Sequence, residues 1–175
     1  MTNNRRVALG CAVVLFVAGC GTTHPTSTPR QQVTASGGPT LTGKEVRITT
    51  FRGHPVVLII WASWCGPCKD EQPALNAAYV KWSPRGVAFL GVDMRDTTSL
   101  ALAFQRQSKV PYPSIADTNA VLAYEYRIPS APALVFLNPQ GKVADVVLGA
   151  LGVMSVADFD AEITTLLSTS STGSA

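Results

Sequence analysis

An unbroken apolar run, PVVLIIWA at residues 55–62, leads almost directly into the cysteine pair Cys65 and Cys68, and this feature constrains the fold most. A run of large and β-branched apolar residues of this length predicts a strand that is buried on both faces. A helix is predicted to begin near Gly66. The cysteines therefore lie at a strand-to-helix turn, where the first amides of the helix have no intrahelical partner.

Strand and helix patterns continue on both sides of this run. Further strands are predicted at residues 46–50, 87–92, 133–137 and 143–148, the last two joined by the turn Asn138-Pro139-Gln140-Gly141. Further helices are predicted from Asp96 or Thr97 to about Ser108, over residues 120–126, and after Ser155. Leu100 and Val156 are expected on the apolar faces of two of these helices. The order of elements predicts an α/β fold with helices around a central mixed sheet.

The N-terminus has the outline of an export signal. Residues 1–6 are positive, and the apolar run at residues 7–19 is short for a membrane span. The run ends in Val17-Ala18-Gly19-Cys20, which resembles a bacterial lipobox. We therefore expect a lipoprotein signal peptide at residues 1–19, with Cys20 lipidated at the mature N-terminus. An ordinary cleaved signal and a marginal anchor helix remain alternatives.

Composition divides the rest of the chain. Residues 20–39 are rich in Thr, Ser, Pro and Gly and contain few large apolar side chains, so a flexible tether is predicted there. Residues 169–175 have a similar composition and predict a disordered tail. The folded domain is expected at residues 40–168.

Charge argues against a nucleic-acid partner. The chain carries 14 basic and 11 acidic residues, and two of the basic ones, Arg5 and Arg6, lie in the predicted signal. The remainder is nearly neutral, and no basic cluster with interleaved aromatic residues occurs.

The CxxC pair admits three interpretations. A zinc site needs four ligands, but there is no second CxxC, and the two histidines are His24 in the tether and His54 before the buried strand. A structural staple across so short a loop constrains the unfolded chain weakly. A redox pair has a mechanism, because a helix N-terminus lowers the pKa of a thiol. We expect no metal and no cofactor.

In the redox interpretation the two cysteines have different roles. Cys65, at the helix start, attacks a target disulfide, and Cys68, one turn further on, resolves the mixed disulfide. Gly66 permits the tight turn, and Pro67 is tolerated because the first helical turn has no amide bond to lose. Trp64 is expected to shield the pair or contact partners, or simply to pack.

WASWCGPCK resembles the thioredoxin active-site motif. From about Leu41 to the last helix, the chain resembles the TlpA/ResA-like branch of membrane-tethered bacterial thioredoxins, on the segments LTGKEVRITTFRGHPVVLIIWASWCGPCKDEQP and IPSAPALVFLNPQGKV. This resemblance implies a thioredoxin-like fold with an inserted strand–helix unit at about residues 97–115. It also implies a thiol–disulfide oxidoreductase.

The resemblance carries two more residues into the site. Pro132 matches the cis-proline that lies beside the CxxC pair and presents backbone to partners. Glu71 matches an acidic residue that follows the second cysteine, and a carboxylate there is suited to relaying a proton to or from Cys68. Thioredoxin itself has a buried acid on the preceding strand, whereas this chain has Ile59 at that position.

The implied function is extracytoplasmic, on the outer face of the cytoplasmic membrane. Electrons would pass from a membrane thiol donor to protein disulfides, for example in apocytochrome c before haem attachment. A disulfide-forming oxidase is the main alternative. A peroxidase is less favoured because Ala62 lies where that chemistry needs a threonine, and a binding module with a structural disulfide remains open.

Overall fold

The structure, a computed structural model, describes residues 36–171. The predicted signal peptide, Cys20 and most of the predicted tether lie outside the described residues. Among the helices in that range, none is both long enough and apolar enough to cross a membrane.

Seven strands and four α-helices are present in the described range. In chain order they are β1 (Gly37–Pro39), β2 (Glu45–Arg47), β3 (Val56–Trp61), α1 (Gly66–Trp82), β4 (Ala88–Met94), α2 (Thr98–Gln107), β5 (Ser114–Asp117), α3 (Val121–Glu125), β6 (Ala133–Leu137), β7 (Val143–Leu148) and α4 (Val156–Ser171). Single 3₁₀ turns occur at Ile48–Phe51, Ser83–Arg85 and Ala150–Gly152.

The central sheet has five strands in the order β5-β4-β3-β6-β7. Strand β3 pairs in parallel with β4 and antiparallel with β6, and β4 pairs in parallel with β5. The predicted α/β architecture with a mixed sheet is therefore confirmed. The predicted inserted unit corresponds to α2 and β5, and β5 forms one edge of the sheet.

Strand β3 is buried on both faces because each face packs against its own core. Val57, Ile59 and Trp61 belong to a cluster that also contains residues of α1, α2 and α4. The residues between them belong to a second cluster, which includes side chains of α3. Successive side chains of a strand point to opposite faces, so a strand with a core on each face must be apolar at every position. All six residues of β3 are apolar.

The N-terminal boundary of the domain differs from the prediction. Residues 37–39, assigned to the tether, form β1, which pairs antiparallel with β2. Gly37 permits this close pairing, since its φ is +139° and a Cβ there would lie 2.1 Å from the carbonyl oxygen of Val46. At the other end, α4 continues to Ser171, beyond the predicted limit at residue 168.

Three local predictions were wrong. Leu100 is exposed, and the buried side of α2 is formed by Ala101 together with Phe104, which the helical spacing had predicted. Val156 is also exposed, because α4 meets the core first at Phe159. The predicted strand at residues 46–50 stops at Arg47, after which a 3₁₀ turn directs Ile48 inward.

Candidate active site

The turn between β3 and α1 places Cys65 at the N-cap of α1. Its backbone is extended there, with φ −82° and ψ 106°, and the Cys68 amide donates a hydrogen bond to its Sγ at 3.2 Å. Pro67 lies in the first turn, where a helix needs no amide donor. The two cysteines form a disulfide, with their Cα atoms 5.3 Å apart. The more accessible of the two is Cys65, which is 4% exposed against 1% for Cys68.

The loop before the pair is held by the loop that follows β4. The Ser63 amide donates to Asp96 Oδ2 at 2.6 Å, and the same carboxylate accepts from the Thr97 amide through Oδ1 at 2.7 Å. Trp64 Nε1 donates to the Arg95 carbonyl at 3.1 Å. Two hydrogen bonds, from Ser63 and Trp64, therefore hold the chain that leads into Cys65.

The two tryptophans near the pair differ in environment. Trp64 is 56% exposed, so its ring faces solvent beside the cysteines. Trp61 is buried, stacks on Phe104 with ring centroids 4.6 Å apart, and donates from Nε1 to Ser114 Oγ. Trp61 packs the core, whereas Trp64 is available to a partner.

Pro132 lies at the same end of the sheet as the cysteine pair. The Ala131–Pro132 peptide bond is cis, as the resemblance implied. Ala133 pairs with Ile60 near the end of β3, so Pro132 is level with the residues that lead into the active-site turn. Its carbonyl accepts from the Gly149 amide at 2.9 Å.

Glu71 is buried one turn beyond Cys68. Its Oε2 accepts from the Leu151 amide at 3.0 Å, and its Oε1 has no hydrogen-bond partner. Burial raises the pKa of Glu71 to about 7, although the hydrogen bond from Leu151 opposes the shift. Glu71 therefore changes protonation state near neutral pH, as a proton relay requires.

A pocket of about 400 Å³ opens beside this carboxyl group. It runs between the first turns of α1 and the start of α4, which explains why Val156 is not buried. Its lining residues are Pro67, Asp70, Glu71, Ala74, Leu151, Gly152 and Val156.

Ile59 occupies the position of β3 at which thioredoxin has a buried acid. It is fully buried in the core that contains both cysteines. The neighbouring strand β4 carries a buried acid that was not predicted, Asp93, and Asp96 was predicted only as a possible helix cap. The available signal was a charged residue directly after the apolar run of β4.

His54 takes no part in the site, since its Nδ1 is within hydrogen-bonding distance of the Gly86 carbonyl in a surface turn.

No metal-binding group of three or more His, Cys, Asp or Glu side chains forms among residues 36–171. Cys65 and Cys68 give this site the chemistry of a dithiol and a disulfide. A cysteine at a helix N-terminus, a second and more deeply buried cysteine one turn further on, and a carboxyl group with a pKa raised to about 7 together suit thiol–disulfide exchange.

Comparison with known proteins agrees with this chemistry. Residues 29–146 match the AhpC/TSA family. The thiol-disulfide oxidoreductase ResA of Bacillus subtilis (strain 168) is 28% identical over 117 residues, which cover 67% of this chain and 65% of that protein. The match therefore spans somewhat less than two thirds of the length of this curated relative.

Solved structures agree with the fold. The structure of dsbF from Mycobacterium tuberculosis (MTB), in mixed oxidised and reduced forms, is 29% identical with a TM-score of 0.67 and covers 77% of this chain and 99% of its own. A secreted thiol-disulfide isomerase from Corynebacterium glutamicum is 27% identical with a TM-score of 0.66, covering 79% of this chain and 87% of its own. The predicted thioredoxin-like fold is confirmed.

Proposed function

The chain belongs to the AhpC/TSA family, and from that premise we propose that it is a thiol–disulfide oxidoreductase acting on protein partners through Cys65 and Cys68. The observation that carries the proposal is the hydrogen bond from the Cys68 amide to Cys65 Sγ at the N-cap of α1. The relatives named thiol-disulfide oxidoreductases support it.

In the reduced enzyme, the Cys65 thiolate attacks a partner disulfide. An S–S bond forms between Cys65 and the partner, and one partner sulfur leaves as thiolate. Cys68 then attacks Cys65 Sγ, closes the Cys65–Cys68 disulfide and releases the second partner sulfur. Two electrons thereby pass to the partner; Cys68 supplies one proton, and the second comes from solvent, because Cys65 reacts as the thiolate. The helix N-terminus favours this order because it stabilises negative charge on Cys65.

We infer a reductive role in which a membrane thiol donor reduces the pair and the pair reduces oxidised partners, such as apocytochrome c before haem attachment. The Gly66-Pro67 dipeptide, shared with thioredoxin, and the similarity to ResA support this direction. Glu71 serves as proton relay to Cys68, and the backbone around Pro132 takes part in partner binding.

The reduction potential of the Cys65–Cys68 pair tests this function. We expect a value near that of reducing thioredoxins, about −270 mV, whereas an oxidase would lie near −120 mV. A pair that remains oxidised well below about −300 mV would instead be a structural disulfide. The potential is measured by equilibration of the chain with graded dithiol buffers.

We further propose a lipid anchor at Cys20, with residues 1–19 removed and the enzyme on the outer face of the cytoplasmic membrane. Replacing Cys20 with serine is expected to abolish incorporation of labelled palmitate and to shift the protein out of the membrane fraction, because the thiol is the site of lipidation. Cys11→Ser is the matched control and should keep both label and location. Label persisting in Cys20→Ser would rule out this anchor.

A further inference from the structure

Asp93 is one of the buried acids that the mechanism above does not use. It lies in β4 opposite Trp61 of β3, and it is 0% exposed. Alternation along β4 places it on the same face as Phe89, whose core cluster also contains Cys65 and Cys68. Neither of its carboxyl oxygens receives a hydrogen bond from a donor, and the polar side chain within its reach is another acid, Asp96. A charged carboxylate with no partner is costly in such a place, so the site favours the neutral acid.

Asp96 lies three residues further along the chain, and its surroundings favour the ionised carboxylate. Its two oxygens accept from the amides of Ser63 and Thr97 at 2.6 and 2.7 Å. Hydrogen bonds of this length from two amides are typical of an ionised acceptor. Because Ser63 lies two residues before Cys65, the charge on Asp96 holds the loop that carries the attacking cysteine.

The charged groups that act on Asp93 are Asp96, from the loop after β4, and Asp117, from β5. Asp117 accepts from the Ala123 amide through Oδ2. Within residues 36–171 none of these three acids forms a salt bridge, since the ion pair found there is the distant Lys81–Asp160, and the guanidinium of Arg95 lies over the Tyr124 ring. Burial raises the pKa of Asp93 to about 8, and the negative charges of Asp96 and Asp117 add to the shift.

We propose that Asp93 is a positioning residue for disulfide exchange. As a neutral acid it leaves Asp96 charged and bound to the Ser63 amide. When Asp93 ionises, the loop that carries Cys65 is loosened. The inference rests on the proposed function, because it assigns the loop a part in exchange. It gives the enzyme an alkaline limit that originates in a carboxyl group of β4 and not in the titration of the thiols.

NMR titration of the full chain in detergent micelles tests this. The chain is kept oxidised, so that neither Cys65 nor Cys68 titrates. The Ser63 amide is expected to shift with a midpoint near pH 8, matching the midpoint of the Asp93 carboxyl carbon. The Leu151 amide, which donates to Glu71, should titrate near pH 7 and serves as an internal control.

In Asp93→Asn, an isosteric side chain that remains neutral, the Ser63 transition should disappear while the Leu151 transition stays. A Ser63 amide that does not shift between pH 6 and 10 in the wild type, or that still titrates in Asp93→Asn, overturns the proposal. If the variant does not fold, disagreement between the Asp93 and Ser63 midpoints in the wild type also overturns it.

Exchange rates give a second readout. Asp93→Asn should match the wild type below pH 7 and exceed it about threefold above pH 8, because its loop stays held. Exposed Glu125→Gln is the control and should follow the wild type throughout. A loss in Asp93→Asn that is equal at every pH indicates a merely structural role and overturns the proposal. A wild type that catalyses no exchange refutes the proposed function instead, whatever the Ser63 amide does.

Discussion

Replacing Cys65 with serine is expected to lower the rate of protein disulfide exchange by about a thousandfold or more. A serine hydroxyl at the N-cap of α1 can still accept the Cys68 amide, so the helix should start normally. The hydroxyl cannot attack a disulfide or form a mixed disulfide, and Cys68 is 1% exposed and cannot replace it. Turbidity of reduced insulin, or reduction of a fluorescent peptide disulfide, measures the rate.

Cys68→Ser is the matched variant at the other position of the pair. It keeps the attacking thiol and loses the resolving one, so it should accumulate mixed disulfides through Cys65 that are seen on non-reducing gels. The trapped proteins also identify the physiological partners. If Cys65→Ser still catalysed exchange while Cys68→Ser trapped nothing, the assigned order of attack would be reversed.

Replacing Glu71 with glutamine is expected to remove the inflection near pH 7 from the pH profile of exchange and to lower the rate at neutral pH about tenfold or more. The wild-type carboxyl group titrates in this range because burial raises its pKa to about 7. Glutamine retains an oxygen that can accept the Leu151 amide, so the contact at the pocket is kept while the transferable proton is lost. An unchanged profile in Glu71→Gln would exclude the relay.

The same substitution has a predicted effect on stability, with a definite sign. Glu71 keeps its proton in the folded state up to about pH 7, whereas the unfolded chain loses it near 4.5. Wild-type stability should therefore decrease as pH rises from 4.5 to 7, by about 3 kcal/mol at most. When the free energy of unfolding is measured with urea at each pH, Glu71→Gln should lack this decrease between pH 4.5 and 7. Exposed Glu45→Gln is the control and should show the same decrease as the wild type.

The sequence predicted the parts of the fold that follow from local pattern. Strands β6 and β7 have the predicted bounds, and the disulfide lies at the predicted strand-to-helix turn. The N-cap of α4 also formed as expected, with Ser155 Oγ accepting from the Asp158 amide at 3.1 Å. Each of these features depends on residues within a few positions of one another.

Helix faces were predicted less well. Leu100 and Val156 fit an apolar helical spacing, yet both are exposed. Which side of a helix is buried depends on where the helix begins and on what covers it. Apolar residues at the first turn of a helix therefore satisfy the pattern whether they meet the core or, as Val156 does, line an open pocket.

The sequence by itself determined where the cysteine pair lies, because CxxC at a helix start is a local arrangement of four residues. Only the tertiary structure decided the protonation of the acids around it. The pKa of Glu71 is raised because the side chain is buried against the segment around Leu151, 80 positions away in the chain. The pKa of Asp93 is raised because it is buried beside Asp96 and Asp117. A pKa depends on the solvent and charges that surround a group in space, and these are established only when strands and helices distant in sequence pack together.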